Sequence, residues 1–174
     1  MPKPSVEQAE LILKLYEIRR EPEMRRARAF LMTEFNATRW DEVRPHYMTG
    51  DELDRHFRMV TSYWEMVAAF VNQGILDEEL FFDTHGEGLF VWLKIRAIVP
   101  EGRKHVRPTW LWNLERMARR QQAWRERTYP TAPRVIEAGS RLRGVSVAAK
   151  KAAAATPGRL AAQTRAARRR KRSR

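Results

Sequence analysis

The sequence predicts an all-α protein: one bundle of about five principal helices around a central helix at residues 51–72, followed by a disordered basic tail. Three observations lead to this prediction. Apolar residues recur at helical spacing through most of residues 1–129, no segment alternates as a strand would, and aromatic residues cease after Tyr129. We therefore expect a helical domain at residues 1–129 and a tail at residues 130–174.

The first helix is expected to begin at a capping box formed by Ser5 and Gln8 and to run to about Arg20. Its predicted apolar face consists of Ala9, Ile12, Leu13, Tyr16 and Ile18. Pro22 then either starts a second helix or kinks the first one. The next apolar stripe consists of Met24, Ala27, Leu31 and Phe35.

Three arginines lie beside that second stripe, and a solvated face explains them best. We expect this face to pair with Glu21 and Glu23, since residues three or four apart are neighbours on a helix. The arginines concerned are Arg25, Arg26 and Arg28. Thr38 and Asp41 further predict a cap for a short turn that carries Trp40 and Val43.

The central helix shows the strongest pattern in the chain, with two apolar stripes side by side. They are Leu53, Phe57, Val60, Trp64, Val67 and Val71, and then Met59, Tyr63, Met66 and Phe70. Because two stripes cover more than one face, we expect neighbouring elements on more than one side. Thr49 with Glu52 predicts a capping box, and Gly74 followed by Ile75 predicts a Schellman-type end.

A further helix is expected to start near Leu76 and to end at Pro100. Gly86 and Gly88 fall inside it and mark either a break near His85 or a close approach to the central helix. Residues 101–108 are expected to form a basic connector, and Thr109 to cap the last helix. The apolar positions of that helix are Trp110 or Leu111, Leu114, Met117, Gln121 and Trp124.

The net charge of +13 is concentrated in the tail. Residues 1–129 hold 21 Lys and Arg against 20 Asp and Glu, whereas residues 130–174 hold 13 against one, so the nets are +1 and +12. Because phosphate contacts release counterions, such a tail attracts polyanions. We expect it to bind nucleic acid without sequence specificity through Lys150, Lys151, Arg159, Arg165, Arg168, Arg169, Arg170, Lys171, Arg172 and Arg174. The same Ala- and Arg-rich composition also fits a tail without function.

Alternative functions remain open. The segment DTHGEG places His85 between the carboxylates of Asp83 and Glu87, an arrangement suited to general-base chemistry in a small enzyme or ligand-binding domain. The structural explanation, which the pattern favours, is a helix break or a tight crossing with a surface histidine. Trp112, near Arg103, Lys104 and Arg107, belongs either to a contact surface or, as we expect, to a second buried stripe. An oligomeric scaffold with its subunit contact at Trp112 or near His85 is the third function.

Several classes of site are not expected. The chain has no cysteine, and its four histidines lie in separate segments without ligand spacing, so we predict no metal and no cofactor. No Walker loop, dinucleotide fingerprint or Gly-x-Ser-x-Gly elbow is present. We expect no transmembrane segment, because the longest apolar run is far short of the roughly 20 residues required. The predicted protein is a soluble, cytoplasmic, non-enzymatic interaction or small-ligand module.

Three strings carry a resemblance to a known group. They are LYEIRREPEMRRARAF at residues 15–30, HFRMVTSYWEMVAAFVNQGILDEELFF at residues 56–82, and VWLKIRAIVP at residues 91–100. In these strings the chain resembles a group of small uncharacterised bacterial all-helical proteins, over about residues 5–129. The resemblance implies one domain ending near Tyr129 and implies no activity or site residue. The tail departs from the group.

Overall fold

The computed structural model describes residues 3–131, and all regular secondary structure in that range is helical. This confirms the predicted all-α fold. The described helices are α1 (Val6–Arg20), α2 (Pro22–Thr33), α3 (Trp40–Val43), α4 (Glu52–Asn72), α5 (Glu78–Thr84), α6 (Glu87–Ile95), α7 (Val99–His105) and α8 (Trp112–Thr128). None of them is both long and apolar enough to cross a bilayer. Most of the predicted tail lies outside the described residues, and the domain boundary at residue 129 stays a prediction.

Helix α4 is the centre of the bundle, as predicted. It packs most extensively against α2 and α8, and also against α5 and α6. The first predicted stripe forms the core side, since Phe57, Val60, Trp64, Val67 and Val71 are all buried. The second stripe is only partly covered: Tyr63 is buried, whereas Met66 is 41% exposed.

The two ends of α4 differ in how well they were predicted. At the C-terminal end, Gly74 has φ +72°, and the Ile75 and Gly74 amides donate to the carbonyls of Phe70 (2.9 Å) and Val71 (3.1 Å). This confirms the Schellman-type end. At the N-terminal end the Thr49–Glu52 capping box is wrong.

Asp51 caps α4 in place of Thr49, and its carboxylate accepts from the Asp54 amide at 2.8 Å. The reason lies in the preceding turn, where Asp54 is buried. The Asp54 carboxylate accepts from the amides of Met48 (2.9 Å) and Gly50 (3.0 Å), both at positive φ. These bonds fix the turn so that Asp51 is the residue that enters the helix.

Helix α1 begins at the predicted capping box of Ser5 and Gln8. Its predicted apolar face is wrong, because Leu15 is the buried residue, whereas Leu13 is 61% and Tyr16 46% exposed. Apolar residues occur around most of this helix, so periodicity alone did not define the inner face. The contact that fixes it comes from α4, where the Tyr63 hydroxyl donates to the Leu15 carbonyl at 2.8 Å.

Pro22 starts a separate helix, α2, at its first position, where a missing amide hydrogen has no consequence. The predicted stripe of Met24, Ala27, Leu31 and Phe35 is buried throughout. The predicted short turn exists as α3, with Trp40 and Val43 buried. Its expected Thr38–Asp41 cap is wrong, since the Thr38 amide instead donates to the Glu42 carboxylate at 3.1 Å.

The segment predicted from Leu76 to Pro100 divides into α5, α6 and the start of α7, so the predicted break near His85 is present, whereas the predicted end at Pro100 is wrong. His85 is extended (φ −134°, ψ 112°) and ends α5. Pro100 lies in the first turn of α7, so residues 101–105, predicted as connector, are helical. Gly102 permits this arrangement, since its missing side chain leaves room for the buried ring of Trp110.

Helix α8 begins at Trp112, after Leu111 at φ +54°, and Thr109 does not cap it. The cap comes from α4 instead. The Glu65 carboxylate accepts from the Asn113 amide at 3.0 Å and from the Leu114 amide at 2.8 Å. The predicted apolar positions of α8 are all buried: Trp110, Leu111, Leu114, Met117, Gln121 and Trp124.

Candidate functional site

Glu87, at the first position of α6, forms the centre of a cluster of charged side chains inside the bundle. Its side chain is 14% exposed and accepts hydrogen bonds from two arginines, Arg19 of α1 and Arg28 of α2. The Arg28 Nε bond is 2.6 Å long, and Arg28 Nη1 also donates to the Arg19 carbonyl at 3.2 Å. We call Arg19, Arg28 and Glu87 the Glu87 cluster.

The predicted solvated face of α2 is therefore wrong for Arg28. Arg26 does pair with Glu23 at the surface, as expected, but Arg28 turns inward to a glutamate 59 residues away. Pairing over such a separation depends on how α2 and α6 pack. A spacing rule for neighbours on one helix contains no information about it.

The electrostatics of the Glu87 cluster favour the charged carboxylate. Burial by itself raises the pKa of Glu87, but the hydrogen bond from Arg28 and the charge of Arg19 outweigh it and hold that pKa below its ordinary value. The Glu87 carboxylate in turn raises the pKa of Arg28. Burial raises the pKa of neighbouring Tyr63 to about 12. The cluster thus holds fixed charges, and a carboxylate with a lowered pKa is a weak general base.

His85 is only 6% exposed. The prediction of a surface histidine at this position is therefore wrong. Its ring stacks on Phe81 with centroids 4.7 Å apart, and Nδ1 lies 2.9 Å from the Thr84 hydroxyl. Burial, together with the positive charge of Arg19, lowers the pKa of His85, so the neutral ring is favoured. The predicted break near His85 is present, since α5 ends there. The predicted close approach is present as well, because a Cβ at Gly88 would meet Trp64 and Met117.

Asp83 completes the predicted set but has a different neighbour. It is exposed and accepts a hydrogen bond from the Tyr129 hydroxyl at 3.1 Å. Asp83, His85 and Glu87 therefore each contact a separate partner. Across residues 3–131, no three histidine or carboxylate side chains are arranged to hold a metal ion.

Trp112 is 54% exposed, so the expected second buried stripe is wrong for this residue. Arg103 lies over its ring, with the guanidinium carbon 5.6 Å from the ring centroid. The same arginine donates from Nε to the Trp110 carbonyl at 2.9 Å. Because α8 begins at Trp112, the ring emerges on the outer side of the first turn, whereas Trp110 and Trp124 are buried as expected.

A groove of about 550 Å³ lies between α6, α7 and α8. We call it the α6–α8 groove. Its polar lining includes Arg96, Arg103, Glu115, Arg119 and Glu126, and Trp92 forms part of its wall. Sequence reasoning missed this groove because one wall belongs to α7, which had been predicted as connector. The arginine-rich side of α8 was the available signal.

A family comparison matches residues 4–121 to a family described as a domain of unknown function (DUF4760). The chain belongs to this family. The match confirms the resemblance predicted from the sequence and extends from α1 to about the middle of α8. Neither the curated proteins nor the solved structures contain a match to this chain.

The DUF4760 match contains the whole Glu87 cluster and the segment from Asp83 to Gly88. It also contains α6, α7 and the first half of α8, which form most of the α6–α8 groove. The predicted polyanion-binding residues, Lys150 to Arg174, lie outside both the match and the described residues. They stay a prediction.

Proposed function

We propose that this DUF4760 protein is a non-enzymatic interaction module whose basic tail binds polyanions, chiefly nucleic acid, without sequence specificity. The observation that carries the proposal is the division of charge. Residues 130–174 hold 13 cations and one carboxylate, whereas residues 1–129 are nearly neutral. Each cation that meets a phosphate releases a counterion, so a segment of this charge density favours long polyanions.

The ion pairs of the helical domain support the proposal. Glu87 pairs with Arg19 and Arg28, Glu115 pairs with Arg103 and Arg119, and Glu78 lies 2.6 Å from Arg120. Arginines that are already paired within the domain are less available to phosphates. The positive charge available to a polyanion is therefore mainly that of the tail.

The terminal string RRRKRSR supports binding without sequence specificity. Arginine and lysine contact phosphates whatever the base sequence. Recognition of base edges requires a structural element that fits a groove of the nucleic acid. A nucleic-acid partner also implies a cytoplasmic location. In this proposal the helical domain supplies a contact to a protein partner or to a second copy.

The alternative, a small enzyme or ligand-binding domain centred on Asp83, His85 and Glu87, has weaker support. Glu87 is held by two arginines, His85 is buried against Phe81, and Asp83 accepts from Tyr129. A catalytic acid and base require a shared substrate position within hydrogen-bond reach. The separate partners of these three side chains favour the interaction module.

The test compares the full-length protein with two variants: a chain ending at Thr131, and a full-length chain with the ten predicted tail cations changed to Gln. Binding to a short DNA duplex and to an RNA strand is measured by fluorescence anisotropy at physiological salt. We expect the full-length protein to bind both nucleic acids and both variants to bind neither. Equal binding by the full-length protein and either variant would refute the proposal.

A further inference from the structure

We propose that the α6–α8 groove binds a small organic carboxylate with an apolar body. Its volume of about 550 Å³ falls within the range of roughly 300–1,000 Å³ that is typical of small-molecule sites. This inference concerns the helical domain alone. It does not depend on what the tail binds.

The wall of the groove provides an apolar surface. Trp92 of α6, Val99 and Pro100 of α7, and Ala123 of α8 all line it. Such pockets bury the apolar part of a ligand, while a few polar groups set its orientation. Pro100 and Ala123 are exposed, whereas Trp92 is only 8% exposed, so a ligand body would contact mainly Pro100 and Ala123 and the accessible part of the Trp92 ring.

The direction of the helices separates the charges along the groove. Helices α6 and α8 run in opposite directions, since Gln121 donates to the His85 carbonyl and Gly88 lies against Met117. Arg96, which follows the end of α6, therefore lies towards the start of α8, near Glu115 and Arg119. Glu126 lies about 16 Å beyond Glu115 along α8, at the usual rise of 1.5 Å per residue.

The Arg96 end of the groove carries excess positive charge. Arg103 Nη2 lies 2.7 Å and Arg119 Nη2 2.5 Å from the Glu115 carboxylate, so that one carboxylate faces two arginines. Arg96 lines the same groove and is exposed, and its side chain contacts no hydrogen-bond or ion-pair partner among residues 3–131. A guanidinium in this state is suited to a carboxylate, which it can bind through two parallel hydrogen bonds.

The other end of the groove limits the ligand to a short monoanion. Glu126 lines it and accepts from Gln122 at 3.1 Å, so a polyanion lying along the groove would meet a negative charge there. A single carboxylate at Arg96, with its apolar body against the wall formed by Pro100, Ala123 and the accessible part of Trp92, avoids that repulsion. The charge pattern thus favours a small carboxylate over a nucleic acid at this site.

The test uses 1-naphthoate as the probe and the uncharged 1-naphthalenemethanol for comparison, each added to the full-length protein. Binding is followed from amide and indole signals in ¹⁵N–¹H NMR spectra, with the Trp92 indole assigned through a Trp92→Phe variant. We expect naphthoate to shift the Trp92 indole and the amides around Arg96 and Ala123. The uncharged probe is expected to bind more weakly.

Two variants and one control make the result decisive. Arg96→Gln should weaken naphthoate binding by about fivefold, the effect of losing one exposed ion pair. Ala123→Trp should abolish binding by filling the groove from an exposed position. Arg25→Gln, which changes an exposed arginine on α2, should have no effect.

The proposal would be overturned by equal binding of the two probes, or by unchanged naphthoate affinity in Arg96→Gln. Naphthoate shifts located outside the groove would also overturn it. The Arg96→Gln result decides the question even if Ala123→Trp does not fold, because Arg96 is exposed. The nucleic-acid affinity of the tail should be the same in Arg96→Gln and the unaltered protein, so the two proposals can fail separately.

Discussion

Gly88 fixes how closely α6 approaches α4 and α8. A Cβ built on Gly88 would lie 2.7 Å from the Met117 methyl and 2.9 Å from Trp64 Cε3. Real Cβ atoms do not approach neighbours so closely, so any other residue would separate the helices or displace the Trp64 ring. The indole of Trp64 is fully buried and has little room to move.

We predict that Gly88→Ala lowers the free energy of unfolding by about 1–3 kcal/mol, the usual effect of overpacking a core. The matched control is Gly86→Ala, because a Cβ at Gly86 would meet nothing within 4 Å. Urea unfolding of both variants measures the difference. Equal stability of the two variants would show that the helices at Gly88 can separate without loss.

The environment of Glu87 also allows a specific prediction about stability. Glu87→Gln would leave Arg19 and Arg28 without their carboxylate, and we expect the free energy of unfolding to fall by about 1–3 kcal/mol near neutral pH. Glu23→Gln is the control, since Glu23 pairs with Arg26 at an exposed position and should matter little. Thermal or urea unfolding checks both variants. A larger effect at Glu23 would contradict the description of the Glu87 cluster.

The pH dependence of the same variant follows from the lowered pKa of Glu87. A carboxyl whose pKa is lower in the folded state contributes stability above its unfolded pKa, about 4.3. That contribution is lost as the pH falls through the folded pKa. Below about pH 4, therefore, the stability of Glu87→Gln should approach that of the unaltered protein.

At the scale of whole helices, the sequence predicted those elements whose signals are local. The central helix, the Ser5–Gln8 box and the Gly74 end depend on residues within a few positions of one another, and the structure confirms all three. The buried stripe of α2 was predictable for the same reason. Its members follow one another at spacings of three or four residues, through Met24, Ala27 and Leu31 to Phe35 just beyond the end of the helix.

Three of the wrong predictions concern contacts between distant segments, whereas the two wrong caps, at Thr38 and Thr49, were decided by residues close by in the sequence. The inner face of α1 is set by Tyr63, the inward turn of Arg28 by Glu87, and the start of α8 by Glu65. In each case the deciding partner lies more than 45 residues away in sequence. The α6–α8 groove was missed on the same grounds, because its position depends on how α7 packs.

Glu65 connects two helices, and its loss should affect α8 more than its own helix. Glu65→Ala removes the acceptor for the Asn113 and Leu114 amides, and we expect a loss of about 1 kcal/mol, typical of a removed cap. Glu52→Ala, at an exposed position in the first turn of the same helix, is the control. Hydrogen exchange of the Leu114 amide should become faster only in Glu65→Ala. An unchanged exchange rate would mean that Glu65 does not cap α8.

At the scale of the whole molecule, the chain combines a nearly neutral helical domain with a strongly positive terminal segment. The domain offers two features that composition did not reveal: the Glu87 cluster inside the bundle and the α6–α8 groove on its surface. Both contain arginines, and one of these, Arg28 of the Glu87 cluster, had been predicted to lie on a solvated face. The residues packed around each arginine, and not the number of arginines in the chain, determine which groups these side chains pair with.

The most direct test of the account is the salt dependence of DNA binding. For the full-length protein, the logarithm of the association constant should fall linearly with the logarithm of salt concentration, by about 0.9 for each phosphate neutralised. Changing the six cations between Arg168 and Arg174 to Gln should flatten that slope by up to about five. A slope unchanged by these substitutions would contradict the account, because the tail would then not be what holds the DNA.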